Sequence, residues 1–316
     1  MPKMKVVALA GGVGAGKFLR GLVRVVDPTD VTVVVNTGDD LTIHGLRICP
    51  DIDSVTYWLA GVSDRARGWG RADETFRTLE QVRELGGQAW FGLGDLDLAT
   101  HLVRTQWLAE GRPLSEVTDR LRHAFGIATP LLPMSDDPVG TWILEVDEEG
   151  TSHNQPFQMY WVAHGGRCEV KEIRFEGAED ARAGPGVLEA IAQADLVILC
   201  PSNPVVSIGP ILAIEEVRES LRGRMVVGVS PIVAGAPLAG MADKLMPVAG
   251  LEVSAFGAAS AYRGLASGFV IDERDRELAP RVESELGMRV SVADTIMSDD
   301  TAAERVARAA LDLIPR

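Results

Sequence analysis

The chain has 316 residues, 46% of them hydrophobic, which is enough for one large α/β domain with insertions or for two modest domains. Its 31 Lys and Arg against 45 Asp and Glu give a formal charge of −14, which argues against a broad nucleic-acid or anionic-membrane surface and requires any polyphosphate ligand to bring local cations or a divalent metal. Cys49, Cys168 and Cys200 are widely spaced and form no CxxC pair, which argues against a disulfide framework or a zinc site, and a reducing cytoplasm fits.

The apolar run Val6 to Ala10 predicts a buried strand that breaks at Gly11-Gly12-Val13-Gly14-Ala15-Gly16-Lys17-Phe18 into a helix. The loop nearly spells a P-loop, but Phe18 stands where that motif needs a hydroxyl to ligate magnesium. The dinucleotide fingerprint fails too, because Lys17 takes the place of its third glycine. What both motifs share is retained: backbone N–H groups and a helix N-terminus aimed at an anion. The alternative is an ordinary tight strand-to-helix turn.

A second strand, Val31 to Asn36, ends in Asn36-Thr37-Gly38-Asp39-Asp40. Ligands of open α/β sheets bind at that carboxyl edge, and adjacent aspartates there repel unless a cation or donors intervene, so magnesium fits. A polar turn with Asx hydrogen bonds is the competing reading.

From Pro50 to Gly126 the pattern is helical: Ile52 to Leu59, Asp73 to Leu85, Asp97 to Ala109 and Leu114 to Phe125, with one possible strand at Gln88 to Phe91. This predicts a mainly helical insertion, 50–126, in a core formed by 1–49 and 127–316. In Pro50-Asp51-Ile52-Asp53, Asp51 reads as the N-cap and Asp53 as a first-turn carboxylate, or as the further oxygen ligand a metal at Asp40 needs. In Gly94-Asp95-Leu96-Asp97-Leu98-Ala99-Thr100-His101, Asp97 and His101 share a helical face over a ligand, or Asp95 caps the helix above a solvated pair. Gly68-Trp69-Gly70 could line a flat aromatic ligand.

Two-residue alternation from Thr141 to Phe175, with a turn at Asp147 to Gly150, predicts β-hairpins at one edge. Strands follow at Asp195 to Cys200, Met225 to Ser230 and Gly268 to Ile271, with helices at Gly209 to Leu221 and Ala302 to Leu313. Continuous apolar strands alternating with helices indicate an α/β fold: a Rossmann-like, mainly parallel sheet covered by helices on both faces. The loop from Pro201 through Ser202, Asn203 and Ser207 to Pro210 offers a second anion- or base-recognition surface at the same edge, or only shapes a tight turn.

The glycine loop, Asn36 to Asp40, Pro50 to Asp53, Gly94 to Asp97 with Thr100 and His101, Met134 to Asp137, and Ser202 to Pro210 together resemble the CofD/FbiA family. These are the 2-phospho-L-lactate and phosphoenolpyruvate transferases of coenzyme F420 biosynthesis. The resemblance runs in order along almost the whole chain. It implies a magnesium-dependent transferase in which the ribityl hydroxyl of the deazaflavin Fo attacks a guanosine diphosphate-linked donor of lactate, enolpyruvate or a similar acid. GMP leaves. The resemblance sets the donor diphosphate against Gly11, Gly12, Val13 and Gly14, the metal or attacking hydroxyl at the catalytic pair Asp40 and Asp53, the deazaflavin near Asp95 and Asp97, and the nucleotide near Ser202, Asn203 and Ser207. Lys17, Asn36, Thr37 and His101 complete the expected substrate-binding set. It also implies a cytoplasmic homodimer. Leu96 departs from the family pattern, which often has arginine there. The alternative, a YvcK-like sugar-nucleotide-binding regulator, shares the glycine loop and core; a P-loop kinase is opposed by Phe18.

Overall fold

The computed structural model describes residues 4–315. Every side chain of β1 (Val6–Ala10) is buried, with Val7 and Leu9 entering one apolar cluster and Val6, Ala8 and Ala10 the other. A strand that buries both faces needs apolar residues throughout, and this explains its uninterrupted run.

From β1 the chain runs into α1 (Gly12–Val25), β2 (Val31–Val35) and a small antiparallel hairpin, β3 (Leu41–Ile43) with β4 (Leu46–Ile48). Four helices follow, α2 (Pro50–Ala60), α3 (Arg77–Glu84), α4 (Asp95–Ala109) and α5 (Leu114–Ala124), before β5 (Leu131–Pro133) rejoins the sheet. The strands β6 (Gly140–Val146), β7 (Ser152–Pro156) and β8 (Glu169–Glu176) make a separate antiparallel sheet in the order β7-β6-β8, as the alternation from Thr141 to Phe175 predicts. Then come α6 (Val187–Gln193), β9 (Leu196–Leu199), α7 (Gly209–Ala213), α8 (Glu215–Ser220) and β10 (Val226–Val229). A two-residue ribbon, β11 (Ile232–Val233) with β12 (Ala236–Pro237), precedes α9 (Ala242–Val248), α10 (Ala255–Ser260), β13 (Gly268–Asp272), α11 (Ala279–Leu286), β14 (Arg289–Ala293) and α12 (Asp300–Leu311).

The central sheet has the order β14-β13-β10-β9-β1-β2-β5, and all its pairings are parallel. On one face Phe18, Leu19 and Leu22 of α1, Ile52 and Val55 of α2, and Val306 and Ala310 of α12 cover it; on the other lie Val187 and Ile191 of α6, Val217 of α8 and Val282 of α11. The Rossmann-like sheet with helices on both faces is therefore present. The chain starts in the middle of the sheet, builds β2 and β5 to one side, then returns through β9 to the other. The strand order reverses between β1 and β9, and in open α/β sheets the carboxyl edge at such a reversal is where ligands bind.

Several expectations are corrected. Gln88 to Phe91 forms no strand: Trp90 and Phe91 pack edge to face at 5.6 Å and join Ile43, Ile48 and Leu93 in a small cluster of their own. The helix expected from Asp73 begins only at Arg77, since Asp73 has φ +57. Gly209 to Leu221 is two helices, broken at Ile214, whose ψ of 111 is extended. Among the described residues, no helix is long and apolar enough to cross a membrane.

Candidate active site

The glycine loop is built by close approach. A Cβ on Gly11 would stand 2.6 Å from Asp51 Oδ2 and 2.8 Å from Ser207 Cβ, and one on Gly14 would run into the Pro201 carbonyl oxygen. Gly16 meets the Trp58 indole in the same way, which places Trp58 in the core. These glycines let the loops after β1 and β9 touch, and Ser202 Oγ joins them by donating to the Gly11 carbonyl at 2.7 Å. We expect Gly14→Ala to cost about 1–3 kcal/mol by forcing the loops apart, read from a denaturant melt; an unchanged midpoint would mean that the loops part freely.

Asp51 is not the N-cap of α2; Cys49 holds that position, with no side-chain cap. Instead Asp51 is buried at the start of α1, accepting from Asn36 Nδ2 at 2.9 Å with the Gly12 backbone against its carboxylate. Burial pushes it up to about 7. Asn36, wholly buried, also donates to the Val206 carbonyl at 3.3 Å and accepts from Gly38 N–H at 2.8 Å, so one amide ties the ends of β2 and β9 to α2.

Beyond Asn36 four buried side-chain oxygens find no hydrogen-bond partner among the described residues: Thr37 Oγ1, Asp39 Oδ1, Asp40 Oδ1 and Thr141 Oγ1. Thr141 is brought there by its N–H, which donates to the Gly38 carbonyl at 2.7 Å as β6 begins. Burial, then the Asp51 charge, pushes Asp39 well above the usual carboxylate range; Thr141 and Gln158 beside it offset this only in part. Asp40, its side chain 1% exposed, uses Oδ2 to accept from Arg47 Nη2 at 3.1 Å and Cys49 Sγ at 3.0 Å. Burial still pushes it up to about 6. Bare buried oxygens on like-charged neighbours are the arrangement a cation relieves.

A second cluster joins α2 and α4. Tyr57 donates to Asp97 Oδ1 at 2.5 Å, and His101 Nε2 stands 3.3 Å from the same oxygen. Burial alone would raise the Asp97 carboxyl, but His101, Tyr57 and Arg104 outweigh it and hold it low. Asp53, expected to pair with Asp40 on a metal, has both oxygens bound by Arg104, Nη1 to Oδ2 at 3.0 Å and Nη2 to Oδ1. The carboxylate beside Asp40 with an unclaimed oxygen is therefore Asp39, not Asp53.

Other predicted residues serve the scaffold. Asp95 caps α3, accepting from Thr75 Oγ1 and from the N–H groups of Arg77 and Thr78, and the threonines' donors hold it down at about 2. Asn203 Oδ1 accepts from Val205 and Val206 N–H, shaping the loop in which Ser207 meets Gly11. Lys17 lines a cleft of about 90 Å³ with Arg20, Trp58 and Arg65, one turn beyond the loop. Trp69, 45% exposed, packs against Phe76 and Arg67. Sequence reasoning set magnesium beside the adjacent Asp39 and Asp40 but left Asp39 out of the pair that the resemblance implies, and it missed Arg47, Arg104, Thr141 and Gln158. The i, i+4, i+7 spacing of Asp97, His101 and Arg104 on α4 was the available signal for Arg104.

The profile of a family described as "2-phospho-L-lactate transferase CofD" matches residues 6–309. The chain is 46% identical over 314 residues to a phosphoenolpyruvate transferase of Streptomyces griseus subsp. griseus, with 98% of each covered. It is 43% identical over 328 residues to one from Mycolicibacterium smegmatis, again with 98% of each covered. With a 2-phospho-L-lactate transferase of Methanosarcina mazei it shares 41% identity over 301 residues, 95% of this chain and 97% of the other. A crystal structure of a UPF0052-family protein from Bacillus halodurans has a TM-score of 0.63 over 98% of this chain and 99% of that one, and at 16% identity it shows a common fold alone.

Proposed function

The chain belongs to the CofD family of transferases, and from that premise we propose that it carries a phospho-enolpyruvyl or phospho-lactyl group to Fo in coenzyme F420 biosynthesis. The Fo hydroxyl oxygen forms the new bond to phosphorus, the bond from that phosphorus to the GMP leaving group breaks, and the hydroxyl proton is released. Enolpyruvate is the proposed donor acid, because the 46% relative carries that name and the 2-phospho-L-lactate transferase is 41% identical. A cytoplasmic homodimer is proposed on the family resemblance. Identity of 40% and more over nearly the whole length separates this reading from the regulatory alternative, which rested on a loop and core common to nucleotide binders.

The observation that carries the reading is the set of bare buried oxygens on Thr37, Asp39, Asp40 and Thr141, at the carboxyl edge of the sheet next to the reversal between β1 and β9. Hard oxygen donors on two carboxylates suit magnesium, with Asp39 and Asp40 holding it. Bound there, the metal would neutralise charge on the group being transferred. The chain's own residues supply the rest: beyond the Gly12 N–H that Asp51 takes, the first turn of α1 offers N–H groups to phosphate, and the turn after β9 shapes the wall facing the nucleotide. Asp53 accepts a hydrogen bond from the attacking hydroxyl and so aims it.

Incubation with Fo, magnesium and guanosine diphosphate-linked enolpyruvate or lactate, followed by mass analysis, is expected to give the phosphodiester of Fo and GMP. No conjugate with either donor, together with a melting temperature that rises with a UDP-sugar and ignores Fo, would overturn the assignment.

A further inference from the structure

Arg104 is the largest fully buried side chain among the described residues, 0% exposed, and a guanidinium so buried must be paired. Its Nη1 and Nη2 grip the two oxygens of Asp53, and Nη1 also stands 3.1 Å from His101 Nδ1 and 3.4 Å from the Arg47 carbonyl oxygen. A guanidinium only donates, so His101 Nδ1 must be the acceptor in that contact. His101 then turns Nε2–H toward Asp97 Oδ1, the oxygen that Tyr57 also reaches.

Ligand atoms of Asp53, Asp97 and His101 lie within 4.8 Å of one another, a spacing suited to a metal ion. The positive charge between them is already supplied by Arg104. We propose that Arg104 fills the cation seat of the Asp53, Asp97 and His101 cluster and acts as a positioning residue, fixing the Asp53 carboxylate to receive the acceptor's hydroxyl. The second half of this rests on the transfer reading above; the first half does not.

A planar two-pronged grip fixes the plane of a carboxylate as well as its position, which an ammonium cannot do. Asp53 is 5% exposed, so little of its carboxylate is open to a ligand, and its orientation decides whether an approaching hydroxyl finds a hydrogen bond. The four residues are carried on two helices, Asp53 on α2 and the other three on α4, so the grip also ties α4 to α2, which packs on the sheet through Ile52 and Val55.

Two measurements on the full chain test this. In steady-state assays, Arg104→Gln is expected to lower kcat/KM for Fo by about 10²-fold while KM for the donor stays nearly constant, with Arg104→Lys recovering part of the loss. A folded Arg104→Gln protein with unchanged kcat/KM for Fo, or with the donor KM raised equally, overturns the positioning role. In thermal melts with zinc alone, Arg104→Ala is expected to show a zinc-dependent rise larger than that of wild type, and Asp97→Asn is expected to remove the excess in the double variant. A folded Arg104→Ala protein showing no such excess overturns the cation seat. The melts need neither Fo nor donor, so they decide that point even if wild type transfers nothing to Fo.

Discussion

Asp40→Asn is expected to lower turnover by at least about 10²-fold while leaving the melting temperature unchanged or slightly raised. The two effects part company because of what each oxygen of Asp40 does. Oδ2 accepts from Arg47 and Cys49, and an asparagine carbonyl can keep those bonds. Oδ1 has no partner, and on the proposed mechanism its negative charge is spent on the metal, where an amide is a poor substitute. Burial raises Asp40 to about 6, so its ionised form burdens the metal-free fold at neutral pH, and the amide removes that burden. Asp39→Asn should behave alike, since its carboxyl is pushed up further and its Oδ1 is equally bare. Wild-type turnover in both variants, with magnesium still required, would remove this pair from the mechanism; a collapse in melting temperature would show that their role is structural.

The sequence made the centre of the fold readable because β1, β9, β10 and β13 are buried on both faces and carry no polar side chain except Asp272, which closes β13. The outer strands were not readable for the converse reason. β5 is three residues ending in Pro133, and β14 is half-buried along most of its length, so neither gives a continuous apolar run. Gln88 to Phe91 shows the limit from the other side, since its aromatic residues pack as a pair without any strand partner.

The candidate site was readable where it lies at strand ends, at Gly11, at Asn36 to Asp40 and at Ser202 to Ser207. It was not readable where a carboxylate's availability depends on a distant cation. Asp53 looks free until Arg104, 51 positions later, is folded onto it. Asp95 and Asp97, two residues apart, divide in the same way: one closes α3 and the other turns inward to Tyr57 and His101.

Chelation is expected to abolish transfer, and magnesium should stabilise the protein far more at pH 8 than at pH 5. The sign follows from the buried carboxyls. An unfolded aspartate titrates at about 3.9, whereas in the fold Asp40 is raised to about 6, Asp51 to about 7 and Asp39 well above the usual range, in each case chiefly by burial. Between those limits the folded chain holds protons that the unfolded chain has lost. The contribution of these groups is therefore fully present below about pH 4 and is lost as pH rises through 6 and 7. A bound divalent cation favours the ionised forms and must displace those protons, so its apparent affinity climbs by about tenfold per pH unit for each proton displaced. Below pH 6 the metal competes with protons; above pH 7 it relieves a repulsion that the metal-free fold otherwise bears. Thermal melts with and without magnesium across this range, repeated with Asp40→Asn, read the effect directly, and the variant should show a shallower dependence on pH. A magnesium-induced shift of equal size at both ends of the range, or undiminished product in excess EDTA, would dissociate the bare oxygens of Asp39 and Asp40 from metal binding.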